Sequence, residues 1–213
     1  MSDTFKILGQ SLANAVNTDL YTVPVSKMTV AAITICNRAP AIKTYRLAIT
    51  NGGVPTSISY ITYDKPVQEN MVQYIGNIAL QVGYKLIAYG QDSNLTFTTW
   101  GDEISIGSFE SYKVLGQTEA AAVDTTLYEV PVDKSAIVNI NICNRANAAK
   151  TYRLAITSGG VATTASYIAY NVDVRANYDQ RITGITLQTG YKLIVYGEDA
   201  NLTFNAWGNE LSV

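Results

Sequence analysis

The chain has 213 residues, a formal net charge of −2, no histidine, 47% hydrophobic residues and 15% charged residues. Charge this sparse beside this much apolar content excludes a disordered chain, and the near balance of signs excludes a phosphate-tracking basic surface. The missing histidine removes serine–histidine and cysteine–histidine catalysis and the commonest zinc-site spacings.

In chain order, Met1–Lys6 carries no basic stretch followed by an apolar run, which predicts no secretory leader and synthesis in a cytoplasm. No apolar run approaches a membrane span. Ser11–Asn17 contains alanines but is short, and reads as a loop. Leu20–Val25 is the first predicted strand, with Pro24 pointing to an edge position. The next strand sets Ala31, Ile33 and Ile35 inward and Thr34 outward. Tyr45, Leu47 and Ile49 share one face of the strand that follows, opposite Arg46, Ala48 and Thr50. Asn51-Gly52-Gly53 supplies a hairpin loop. Ser59–Tyr63, a weaker segment near Ile75–Leu80, Tyr84–Tyr89 and Leu95–Trp100 complete about seven short strands.

The series then starts again. Phe5–Ile106 aligns with Tyr112–Val213 at a constant offset of 107, without a gap. About 60 of roughly 102 aligned positions are identical, the internal repeat that sets domain count before anything else. The expected organisation is all-β, two tandem and near-identical β-sandwich domains, immunoglobulin-like or jelly-roll, with the immunoglobulin-like sandwich preferred. Residues 1–106 form the first, 107–111 a short linker and 112–213 the second. Five linker residues span at most about 18 Å, so the domains lie close. Phe109 is a candidate to pack at the junction. In the second repeat, Val138, Ile140 and Ile142 face one way, Asn139 and Asn141 the other.

Candidate chemistry is thin. Asp92 with Glu103, and Asp199 with Glu210, are the only recurring carboxylate pairs that could flank a sugar. The competing reading makes Asp92 and Asp199 turn organisers, with Glu103 and Glu210 beside a strand end. Gly90-Gln91-Asp92-Ser93-Asn94 lacks the repeated acidic positions of a calcium loop. Asn51-Gly52-Gly53 is not a phosphate loop, having no following Lys-Ser/Thr and no helix. Asn94-Leu95-Thr96 and Asn201-Leu202-Thr203 match a glycosylation sequon, expected to be accidental where no leader is predicted. Cys36 and Cys143 occupy equivalent places, which favours two buried free thiols. Asn37 and Asn144 are placed to satisfy turn backbone. Arg38, Arg46, Arg145 and Arg153 are read as solvated by default, with salt links between domains or subunits as the alternative. No catalytic residue, metal ligand or cofactor is assigned.

The repeats differ most at Asp64–Tyr74 against Asn171–Arg181, a polar inter-strand segment, and at Met28–Ala32 against Ser135–Asn139. Lys65, Met71, Tyr74, Arg175, Tyr178 and Arg181 are therefore the candidate partner-contact residues. Fifteen tyrosines and two tryptophans also allow contact with a glycan, although most sit in strands.

The recurring pattern LGQ … LYTVPV … ICNR … TYRLAI … GG … GYKL … LTF..WG.E resembles β-sandwich modules of virion structural proteins from tailed bacteriophages, notably cyanophages and marine phages. It covers nearly the whole chain, once per repeat. The resemblance implies a non-enzymatic virion protein, made in the host cytoplasm and acting in capsid decoration or in a tail or baseplate. It implies partners among other virion proteins and a homo-oligomer, a trimer or higher ring, with no nucleic acid and no membrane. Two similar domains per chain would let a trimer mimic sixfold symmetry. The alternative is a tandem carbohydrate-binding module of a phage fibre or secreted protein, for which a repeated, exposed, coplanar Tyr/Trp pair would be the sign.

Overall fold

The computed structural model describes residues 4–106 and 110–213. Phe109 lies outside the described residues. Sixteen strands account for the described elements, with two short 3-10 turns at Ser57–Ser59 and Thr164–Ser166. The first half contains β1 (Thr4–Leu12), β2 (Thr18–Thr22), β3 (Lys27–Asn37), β4 (Lys43–Thr50), β5 (Tyr60–Val67), β6 (Val72–Leu80), β7 (Lys85–Gly90) and β8 (Leu95–Ser105). The second contains β9 (Glu110–Glu119), β10 (Thr125–Glu129), β11 (Lys134–Asn144), β12 (Lys150–Thr157), β13 (Tyr167–Val174), β14 (Asp179–Gln188), β15 (Lys192–Gly197) and β16 (Leu202–Ser212).

The strands form four antiparallel sheets. The first half makes β1-β8-β3-β6 and β2-β7-β4-β5, and the second makes β9-β16-β11-β14 and β10-β15-β12-β13. Each half thus has eight strands in two four-stranded sheets with jelly-roll strand order. The preference for an immunoglobulin-like arrangement of seven strands is corrected here. The strand missed was β1, which pairs with β8 across the whole half, Thr4 opposite Glu103 and Leu12 opposite Thr96. A register shift between Ile7 and Gly9 interrupts its alternation, so a period of two could not reveal it. Gly9 is needed at that break, because a Cβ there would collide with the Leu20 carbonyl, and one at Gly116 with that of Leu127.

Other boundaries move for similar reasons. β2 ends at Thr22, leaving Pro24 in the following turn. Asp64–Tyr74 is mostly strand, with only Gln68–Met71 linking β5 to β6. Asp64 and Asn171 adopt left-handed backbone (φ 46° and 51°), and the bulges they create hide the alternation on either side.

Between the sheets of the first half lie Ile33, Ile35, Tyr45, Leu47, Ile49, Ile78, Leu80 and Phe97. Ile140, Ile142, Leu154, Leu193 and Phe204 do the same in the second half. The corners are closed by the predicted asparagines. Asn37 Nδ2 donates to Ala41 O (2.8 Å), and its Oδ1 accepts from Ala39 N (2.9 Å). Asn144 repeats both bonds with Ala148 O and Ala146 N.

One feature breaks the equivalence of the halves. Trp207, from the second half, packs into the core cluster of the first and is fully buried.

Candidate functional site

The two halves of the chain are in direct contact. The outer face of β9-β16-β11-β14 lies on the edge formed by β5, β6 and the turn at Ser57–Ser59. Edge strands carry unpaired backbone groups, and side chains of the covering sheet meet them. Asn205 Nδ2 donates to Tyr60 O (2.9 Å), Thr203 Oγ1 to the same oxygen (3.2 Å) and Asn141 Nδ2 to Ile61 O (2.7 Å). Trp207 Nε1 donates to Asn77 O. That carbonyl is aimed outward by a bulge: two residues, Gly76 and Asn77, lie between the partners of Ala31 and Ile33, and Asn77 has left-handed backbone (φ 56°). Along the seam, Gln81 Oε1 accepts from Val114 N (2.7 Å) and Gln117 Nε2 donates to Ile49 O (3.2 Å).

Ion pairing completes the seam. Lys65 Nζ lies 2.5 Å from Asp179 Oδ1, with side-chain exposures of 17% and 7%. Arg181 donates to Gly76 O (3.2 Å) and stacks 5.5 Å above the Trp207 ring. Burial lowers the Arg181 pKa, and Asp179 opposes that shift. Burial pushes the Tyr45 hydroxyl well above its usual value, with Asp179 acting in the same direction.

Of the predicted contact residues, Lys65 and Arg181 therefore meet the other half of the same chain. Met71 and Tyr74 are exposed on the first half, and Arg175 and Tyr178 on the second. The six do not form one patch. Sequence comparison passed over the covering residues Asn141, Asn205 and Asn209. Their counterparts are Thr34, Thr98 and Asp102, so a cluster of substitutions to asparagine on outward positions was the available signal. Asn141, read as an outward residue, is fully buried because that face is covered.

The carboxylate pairs do not come together. Asp92 sits in the β7–β8 turn, accepts from Asn94 N (2.9 Å) and pairs with Lys43 (2.5 Å). The Lys43 ammonium holds its carboxyl below the usual range, aided by that backbone bond. Asp199 repeats both contacts with Asn201 and Lys150, and is likewise lowered. Glu103 lies beside the end of β8, two residues before Ser105. Extended strand from Leu95 to Glu103 covers about 27 Å, far beyond the roughly 5–9.5 Å of a glycosidase pair. Glu103 is buried and accepts from Tyr21 (2.8 Å) while pairing with Lys6 (2.7 Å). Burial pushes its carboxyl up, but Lys6 and Tyr21 outweigh it and the net shift is downward. Glu210, Tyr128 and Lys113 reproduce the arrangement. A carboxylate held ionised by a lysine and a tyrosine is a structural clasp between β1, β2 and β8.

Arg38, Arg46, Arg145 and Arg153 bond within their own halves. Arg46 pairs with Asp64 (2.6 Å) and lies over Tyr63 and Tyr89, at 4.1 and 4.9 Å. Arg153 donates to Asn171 and stacks on Tyr170 and Tyr196. Arg38 caps Ser93 O (2.5 Å) and Arg145 pairs with Glu119 (2.8 Å). Both thiols are free, Cys143 buried and Cys36 half-buried, which corrects the expectation of two buried thiols. Among the described residues no acidic, cysteine or histidine cluster could hold a metal. No described helix is long and apolar enough to cross a membrane.

Aromatic geometry bears on sugar contact. Tyr60–Tyr63 and Tyr167–Tyr170 are repeated, but edge-on, at 85° and 76°. Tyr74–Trp100 is nearer coplanar, at 33°, and has no counterpart because Arg181 stands in place of the tyrosine.

No protein-family model and no curated protein matches the sequence. Among solved structures, the chain is similar to the major capsid protein P2 of bacteriophage PM2, with TM-score 0.34 and 10% identity, covering 100% of this chain and 98% of that one. It is similar to the STIV MCP, with TM-score 0.36 and 9% identity, over 100% and 97% of the chains. It is also similar to the CBM22-1–CBM22-2 tandem domain of Paenibacillus barcinonensis Xyn10C, with TM-score 0.25 and 10% identity, over 99% and 91%. Likenesses this loose carry no weight for function.

Proposed function

We propose that this chain is a non-enzymatic structural protein of a tailed-phage virion, in capsid decoration or in a tail or baseplate, working through protein–protein contacts as a homo-oligomer. The observation that carries the assembly role is the contact between halves: a jelly-roll sheet already uses its broad outer face to grip the edge of another jelly roll. Placement in a tailed-phage particle rests on the repeated LGQ … ICNR … WG.E pattern. The domain division stands with it, residues 1–106 and 112–213 as modules and 107–111 as the join. Lys65 and Arg181 serve the contact within the chain, which leaves Met71, Tyr74, Arg175 and Tyr178 for other virion proteins. Mass spectrometry and immunogold electron microscopy of purified particles test this reading. The expected result is stoichiometric incorporation with label on the shell or tail, and absence from particles overturns it.

One observation favours a second reading, tandem carbohydrate binding. The Tyr–Arg–Tyr stacks at Arg46 and Arg153 recur in both halves and present tyrosine at the surface, with Tyr170 56% exposed. Glycan binding by a strictly monomeric chain would decide for it.

A further inference from the structure

The contact between the halves uses one face and one edge, and each half has both. Only one of each is used within the chain. In β16, residues Leu202–Glu210 are buried without interruption, whereas in β8 the outward residues Thr96, Thr98, Trp100 and Asp102 remain half-exposed. The outer face of β1-β8-β3-β6 is therefore the open equivalent of the covered face. The edge of β13 and β14 is the open equivalent of the used edge: Ile61 is 0% exposed, while its counterpart Ile168 is 45% exposed.

We infer that the open face of one molecule receives the open edge of another, repeating the contact within the chain and joining copies head to tail. Three features of the two open surfaces fit each other. The first is a paired substitution. Lys65 and Asp179 face each other within the chain, and their counterparts are Val172 and Val72. Both members change from charged to apolar together, so the intermolecular contact would set valine on valine. Val72 is 55% exposed in the single chain, and that surface is without cover until a partner arrives. The second is conserved backbone. The carbonyl of Asn77, which receives Trp207, has its counterpart at Gly184, which sits in the same bulge of β14 against β11 with the same left-handed backbone (φ 75°). The donor that would reach it is Trp100. The third is an apolar groove of about 600 Å³ on that face around Trp100, walled by Phe5, Val30 and Ile104 and bounded on its other side by Tyr112 and Ile137 of the same chain's second half. Gln188, the counterpart of the seam residue Gln81, is retained at the open edge.

Because face and edge are different surfaces, the contact is heterologous. It closes into a ring of alternating first and second halves where the rotation permits, and otherwise grows a filament. The inference deepens the assembly role proposed above and rests on it.

Mass measurement of the full chain by analytical ultracentrifugation tests it. The wild type is expected as a closed oligomer or filament. Val72→Asp places an unpaired carboxylate on the face and Val172→Lys an unpaired ammonium on the edge. Each alone should weaken association by at least about 100-fold with unchanged circular dichroism. Combined, they copy the Lys65–Asp179 pair and should restore the wild-type mass. An oligomer indifferent to the single substitutions, or a double variant that stays dissociated, overturns the head-to-tail contact and leaves the assembly role standing. A monomer at every concentration overturns both.

Discussion

Trp100 and Trp207 occupy the same position in the two repeats, so two independent modules would respond alike to losing them. The structure predicts unequal responses. Trp207 is fully buried, belongs to the core cluster of the first half and donates to Asn77 O. Its side chain removes about 200 Å² from water, worth about 5 kcal/mol at about 25 cal/mol per Å². Truncation to alanine is expected to cost about 3–5 kcal/mol once partial relaxation is counted. Trp100 lies half-exposed on the open face, and Trp100→Ala should cost about 1 kcal/mol. Urea unfolding followed by circular dichroism measures both, in the Val72→Asp background so that association does not bury Trp100. With a slope of roughly 3 kcal/mol per molar, Trp207→Ala should lower the midpoint by about 1–1.7 M and Trp100→Ala by about 0.3 M. Equal shifts would refute the contact between halves, and with it the reasoning built on that asymmetry.

Lys65→Ala should cost about 2 kcal/mol by stranding Asp179, less than the roughly 3–5 kcal/mol of a fully buried pair. Lys65→Val with Asp179→Val should recover most of that loss in the same urea assay. Glu103 has its folded pKa below its unfolded value, so its contribution is fully present above the ordinary glutamate pKa and is lost as pH falls through the folded one. Asp92 and Asp199 act in the same sense. Thermal stability should therefore drop as pH falls below about 4.5, and Lys6→Met should flatten the part of that drop due to Glu103. Burial pushes the Cys143 thiol up and removes it from solvent. A thiol reagent should leave Cys143 unmodified in the native chain and reach it only on unfolding, while Cys36 reacts earlier.

Much of each half could be read along the chain. Ile33, Ile35, Leu47 and Ile49 obey the alternation that buries one face of a strand, and all are fully buried. Asn37 and Asn144 close the turns their positions predict. The misses share a cause: β1 at Gly9, β5 at Asp64 and β6 at Asn77 each carry a bulge, and a bulge shifts the period by one residue where the pattern is being counted. Jelly-roll order itself rests on pairing Thr4–Leu12 with strand β8 near the far end of the same half, a separation that local pattern does not register.

The sequence alone determined the duplication, the all-β class and the inward residues, because these follow from identity at a fixed offset and from side chains alternating along a strand. Only the tertiary structure decided which copy covers which. Near-identical halves can meet face to edge in two senses, and the chain uses one. Trp100 and Trp207 are the same residue at the same place in the repeat, yet one is core and the other half-exposed, since burial is a property of what the other half brings to the contact.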